Sequence, residues 1–104
     1  AISLISSLQL QQALRITEID SEHIMAELFV PEKYVGHTPE TMNLDQRFGL
    51  KLIAIKPEPV EKGVFSKIKK SYSANLDFDI HQKLKRADIL VIVGKLKQIQ
   101  KFCE

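Results

Sequence analysis

The sequence predicts a small α+β domain of two layers: a mixed or antiparallel sheet of three to four strands, short helices, and a C-terminal helix that closes the fold. Three observations lead there. His23 to Val30 alternates between two faces with the period of a strand, Ile24, Ala26, Leu28 and Val30 on one and Met25, Glu27 and Phe29 on the other. Ile89 to Val93 is an unbroken aliphatic run of strand length, ended by Gly94. Lys95 to Phe102 sets Leu96, Ile99 and Phe102 on one helical face, with lysines opposite.

The chain has 104 residues, enough for one domain with a modest core and too few for two. A hydrophobic fraction of 44% beside 27% charged residues excludes disorder and a fibrous class. No apolar run approaches the roughly 20 residues that span a bilayer. No secretory signal pattern opens the chain. A role at a membrane would therefore run through a partner. The single cysteine, Cys103, rules out an internal disulfide or a multi-cysteine metal site and fits a reducing cytoplasm. A net charge of +2 gives no argument for nucleic acid.

From Ala1 to Leu14 the apolar pattern is mixed, part helical and part alternating, and we read a helix over most of it. Such an apolar start (Ile2, Leu4, Ile5, Leu8) leads us to expect a domain of a longer protein. Residues 1–20 are read as an apolar dimerisation arm and connector, and 21–104 as the domain proper. Thr17 to Glu22 reads as an acidic connector. In the strand that follows, Ile24, Ala26, Leu28 and Val30 share one face, and Pro31 ends it.

Thr38-Pro39-Glu40-Thr41 is a helix start, with threonine as cap, proline at the first helical position and a carboxylate in the first turn. This helix points Met42, Leu44 and Phe48 inward and closes at Gly49. Leu50 to Ile55 is nearly continuous in apolar residues, which predicts a strand buried on both faces. Pro57 and Pro59 end it. Val60 to Phe78 fits a helix face or a lysine-edged hairpin. Asp77 to Arg86 reads as a turn and helix with Ile80 and Leu84 facing in.

The residues argue against catalysis. There is no nucleophile elbow, no paired histidines at zinc spacing and no glycine-rich phosphate loop. His23, His37 and His81 are isolated and read as surface or cap histidines. Glu18, Asp20 and Glu22 lack the glycine turn of a calcium loop and read as a solvated edge. The lysines near 67–70 and at Lys83, Lys85 and Arg86 read as solvent-facing charge, with only Tyr72 offering a stacking surface.

Two stretches carry a resemblance. Gly36-His37-Thr38, Asn43-Leu44-Asp45, Arg47-Phe48-Gly49 and Ile53-Ala54-Ile55-Lys56 follow in the order of the C-terminal RCK (TrkA-C) domain of potassium uptake and channel regulators. Arg86-Ala87-Asp88-Ile89-Leu90-Val91-Ile92-Val93-Gly94 is similar to that family's Gly-Asp-x-Leu-x-Val-x-Gly strand, with Ala87 in place of the glycine. The resemblance implies a non-catalytic cytoplasmic module at the inner face of the membrane. It would form a homodimer, bind a small ligand between subunits, and act on a membrane transporter or channel subunit, mainly for potassium.

By the same resemblance the ligand positions fall at Pro39, Glu40, Asp45 and Ile80. Cyclic di-AMP is a ligand of some members, but here Asp45 stands where they carry an arginine and Glu40 where they carry an apolar residue. Both acids repel a phosphodiester. No other cofactor and no metal is implied. The alternative is a structural oligomerisation module of another transporter, its pocket vestigial. Gly49 and Asp88 are read as a helix cap and a turn residue that mark the fold.

Overall fold

The computed structural model describes residues 10–59 and 71–104. Four strands form one antiparallel sheet: β1 (Ala13–Glu18), β2 (His23–Phe29), β3 (Lys51–Lys56) and β4 (Ile89–Lys95), in the order β1-β2-β4-β3. Two short helices, α1 (Pro39–Met42) and α2 (Leu44–Phe48), precede β3, and α3 (Leu96–Cys103) follows β4 directly. This is the α+β, two-layer architecture that the patterns predict.

The two central strands carry the core. β2 and β4 pair without a slip, so Ile24 lies opposite Gly94, Ala26 opposite Ile92 and Leu28 opposite Leu90. All the side chains in that row are buried, and the alternation in His23 to Val30 is the imprint of this one covered face. Met42, Leu44, Leu50, Ile99 and Phe102 complete the same cluster from the helical side. At Gly94 the row has no side chain because Leu50 occupies the space: a Cβ there would overlap Leu50 Cδ2.

The N-terminal reading needs correction. Residues 1–9 of the expected helix lie outside the described residues, but from Ala13 the chain is strand, not helix. Thr17 and Glu18, assigned to a connector, belong to β1. An edge strand with one solvated face and a bulge between Ala13 and Arg15 lacks clean alternation, which hides it from periodicity. The acidic stretch beyond it forms the β1–β2 turn. Asp20 Oδ1 accepts from the Glu22 amide at 2.8 Å and the His23 amide at 2.7 Å. These two amides, with the His23 ring beside them, hold the Asp20 carboxyl below its ordinary value.

The predicted helix at Thr38 is present but divided. Thr38 Oγ1 accepts from the Thr41 amide (3.1 Å) while Thr41 Oγ1 accepts from the Thr38 amide (2.9 Å), a reciprocal capping box with Pro39 at the first position. Asn43 then turns left-handed (φ 48°, ψ 51°), a conformation asparagine tolerates, and splits the segment into α1 and α2. Gly49 closes α2 at φ 67°, its amide donating to Asp45 O at 2.9 Å.

β3 is an edge strand with a bulge between Leu52 and Ala54, and it is buried on both faces at Ala54 and Ile55 but not along its whole length. The slip puts Leu52 opposite Ile92 and Ile55 opposite Leu90, both on the core face. It turns Lys56 to the outer face, where its ammonium pairs with Glu27 across β4. Glu27 is 9% exposed, so the lysine compensates an otherwise buried charge.

Of the 60–78 segment, residues 60–70 lie outside the described residues. From Ser71 to Phe78 there is neither helix nor hairpin, only an isolated bridge between Asn75 and Ile55. Asp77 to Arg86 is likewise an irregular strap and not a helix. Its backbone bonds go elsewhere: the Gly36 amide donates to Leu84 O at 2.9 Å and the Leu84 amide to His37 O at 2.7 Å. Leu84 is buried as expected, whereas Ile80 is 46% exposed. The reason is that a strap paired at both ends has no helical face to turn inward.

Candidate ligand groove

Pro39, Glu40, Asp45 and Ile80 line one open groove of about 610 Å³. Its walls are the α1–α2 segment on one side and the strap on the other, with β3 forming the floor. Glu40 and Ile80 are brought together by the backbone: the Glu40 amide, free of a helical partner in the first turn, donates to Ile80 O at 3.1 Å. Asp45 stands in the first turn of α2, two residues past the Asn43 joint. The groove thus gathers residues separated by about forty positions in sequence.

Sequence reasoning missed other lining residues. Leu52 and Phe78 supply apolar surface, and Leu50 and Lys51 border the groove at the start of β3. Asn43 lines it at the joint between the helices. Lys51 and Leu52 read only as strand residues, and Phe78 lies in the stretch where no pattern fixed the structure. Asn43 had one available signal: asparagine between two helix-length half-turns is the residue type for a left-handed joint.

The acidic residues along the groove are Glu40 and Asp45. Glu40 Oε2 lies 3.5 Å from His81 Nδ1, both side chains being largely exposed. Such a pair in solvent contributes little. His81 thus stands as a surface histidine, as do His23, which contacts Asp20 at 3.0 Å, and His37, whose Nδ1 is 3.5 Å from Thr41 Oγ1. Among the described residues no three His, Cys, Asp or Glu side chains come together as a metal site. No described helix is long and apolar enough to cross a membrane.

A second, smaller cavity of about 150 Å³ lies behind Phe78, between the end of β3 and the strap. Asp88 marks its inner end. Its two carboxylate oxygens accept from the Glu58 amide and the Lys85 amide, each at 2.9 Å. The side chain therefore ties the exits of β3 and the strap to the start of β4, the turn role expected of it. Gly49 is likewise a cap.

Beyond the groove, α2 reaches α3 through rings. Phe48 meets Phe102 edge to face at 5.5 Å, and Tyr34 stacks on Phe102 at 5.1 Å. Cys103, next in sequence, is half-buried, and that burial raises its thiol pKa.

No protein-family model matches the sequence, and no curated protein matches it. Solved structures do. The RCK C domain of the potassium transport protein KtrA, a regulator of conductance of K+ solved in complex with cyclic diadenosine monophosphate, aligns with a TM-score of 0.57. It is 23% identical, over 79% of this chain and 81% of that one. The GsuK RCK domain aligns with a TM-score of 0.60 and 20% identity over 88% of this chain, which spans only 18% of that one. At these identities the likeness is one of fold: the chain has the fold of the RCK C-terminal domain.

Proposed function

We propose that this chain is a non-catalytic, ligand-sensing and dimerising regulatory domain of a potassium or other cation transport system, working in the cytoplasm on a membrane-embedded partner. The observation that carries the reading is the fold likeness to the RCK C domain of KtrA, which extends over about four-fifths of both chains. The groove adds to it. Pro39, Glu40, Asp45 and Ile80, which the family resemblance names as ligand positions, border one concave site.

The physical logic is linkage. A ligand that fits one arrangement of two subunits better than another shifts the pair toward that arrangement, by no more than its difference in affinity. The partner responds to the arrangement. Disruption of the gene for this chain should change the rubidium tracer uptake of potassium-limited cells, and re-expression should restore it. Uptake identical in the disrupted and restored strains would overturn the reading.

A further inference from the structure

We infer that the groove between α1–α2 and the strap takes an organic cation, a ligand with an apolar body and one ammonium or guanidinium group. The inference rests on the proposed ligand-sensing function and names the chemical class that the site accepts.

The walls decide the body of the ligand. Pro39, Leu52, Phe78 and Ile80 border a volume of about 610 Å³, within the range of small-molecule sites, with the buried Leu44 and Leu50 behind them. Ile80 is 46% exposed although its own backbone is fixed by the Glu40 amide, so a large apolar side chain is held beside the groove half in solvent. An apolar ligand surface gains by covering it, at about 25 cal/mol for each Å² removed from water.

The rim decides the charge. Glu40 and Asp45 stand on one wall, on successive helices whose relative position is set by Asn43. Lys51, the one cationic residue along the described lining, pairs with Val93 and so carries its side chain on the outer face of the sheet, away from α1–α2. Glu40 has only the 3.5 Å approach of an exposed histidine. A cation beside these two carboxylates gains attraction over a partly apolar floor, where the effective dielectric is below that of water. An anion at the same place is repelled by both.

The test uses two probes with the same aromatic body and opposite charge, phenethylammonium and phenylacetate, titrated into the intact chain and followed by amide NMR. We expect phenethylammonium to move the Glu40, Asp45, Lys51 and Ile80 amides saturably and to bind at least fivefold more tightly than phenylacetate. Glu40→Gln combined with Asp45→Asn should bring the two affinities together; these exposed side chains can be changed without touching the core. Tighter binding of phenylacetate, or a cation preference that survives the double substitution, would overturn the charge class while leaving a ligand site. If neither probe moves any groove amide, both the class and the site are wrong. The uptake experiment tests the regulatory role separately from either result.

Discussion

Phe102 and Tyr34 lie ring on ring, their centroids 5.1 Å apart and their planes 17° from parallel. Sixty-eight positions separate them in sequence, so this one contact fastens the last helix to the loop that leaves β2. Phe48 adds its edge on the other side, and Phe102 is fully buried as a result.

Phe102→Ala removes the shared member of both ring contacts and leaves a cavity between α3 and the sheet. We expect a loss of about 3–5 kcal/mol in urea denaturation, a large share of the about 5–15 kcal/mol that holds a domain folded. An unchanged midpoint would show that α3 does not pack on the sheet.

Gly94→Ala tests the close approach of Leu50 to β4. The added methyl group meets Leu50 Cδ2 in a filled core, and the cost should be about 1–3 kcal/mol. The same substitution in a Leu50→Ala background should cost less, because the obstructing atom is gone. Equal costs in the two backgrounds would refute the contact.

Asp88→Ala strips two backbone amides, Glu58 and Lys85, of their acceptor. The expected loss is about 1–3 kcal/mol, with faster hydrogen exchange at those two amides. Asp88→Asn keeps one carbonyl acceptor and should fall between the parent and the alanine variant.

Asp20 gives stability a pH dependence. Its folded carboxyl pKa lies below the unfolded one, so its contribution is present above the ordinary carboxylate value and is lost as pH falls through the lowered value. The difference in thermal midpoint between the parent and Asp20→Ala should therefore be steady near neutrality and narrow below about pH 4. A difference that widens on acidification would contradict the assignment.

Cyclic di-AMP should bind weakly or not at all, since its phosphodiesters would meet Glu40 and Asp45. Calorimetry giving a Kd below about 1 μM, or some 8 kcal/mol of binding free energy, would refute that expectation. Asp45→Arg, which removes one acid and supplies a bidentate phosphate donor, should raise the affinity at least tenfold.

What was legible in the sequence follows from where packing is one-sided and regular. β2 and β4 pair without a slip, so alternation and apolar length gave them away, and α3 shows its buried Ile99 and Phe102 at helical spacing. Thr38 and Gly49 announced the ends of the helical segment through local chemistry alone. The positions proposed for the ligand were named by resemblance and then found along one groove. β1 was hidden by its bulge and its exposed face. The strap was misread because its backbone partners, Gly36, His37 and Ile55, are far away in sequence and leave no period. Phe78 and Lys51 border the groove only because of that tertiary pairing.

The bulge in β3 gives the sheet a spare residue. Leu52 and Ile55, three apart, both face the core because Ile53 is taken up between them. A chain lacking Ile53 would still send Leu52 and Ile55 inward and Lys56 outward to Glu27, with a plain two-residue alternation. β4 has no such slack. Removing one residue from its middle would turn the far half of the strand over and put Val91 or Val93 where Ile92 now packs. Length is thus negotiable at the rim of this sheet and fixed at its centre, so natural gain or loss of a residue belongs at position 53 and not between Ile89 and Gly94.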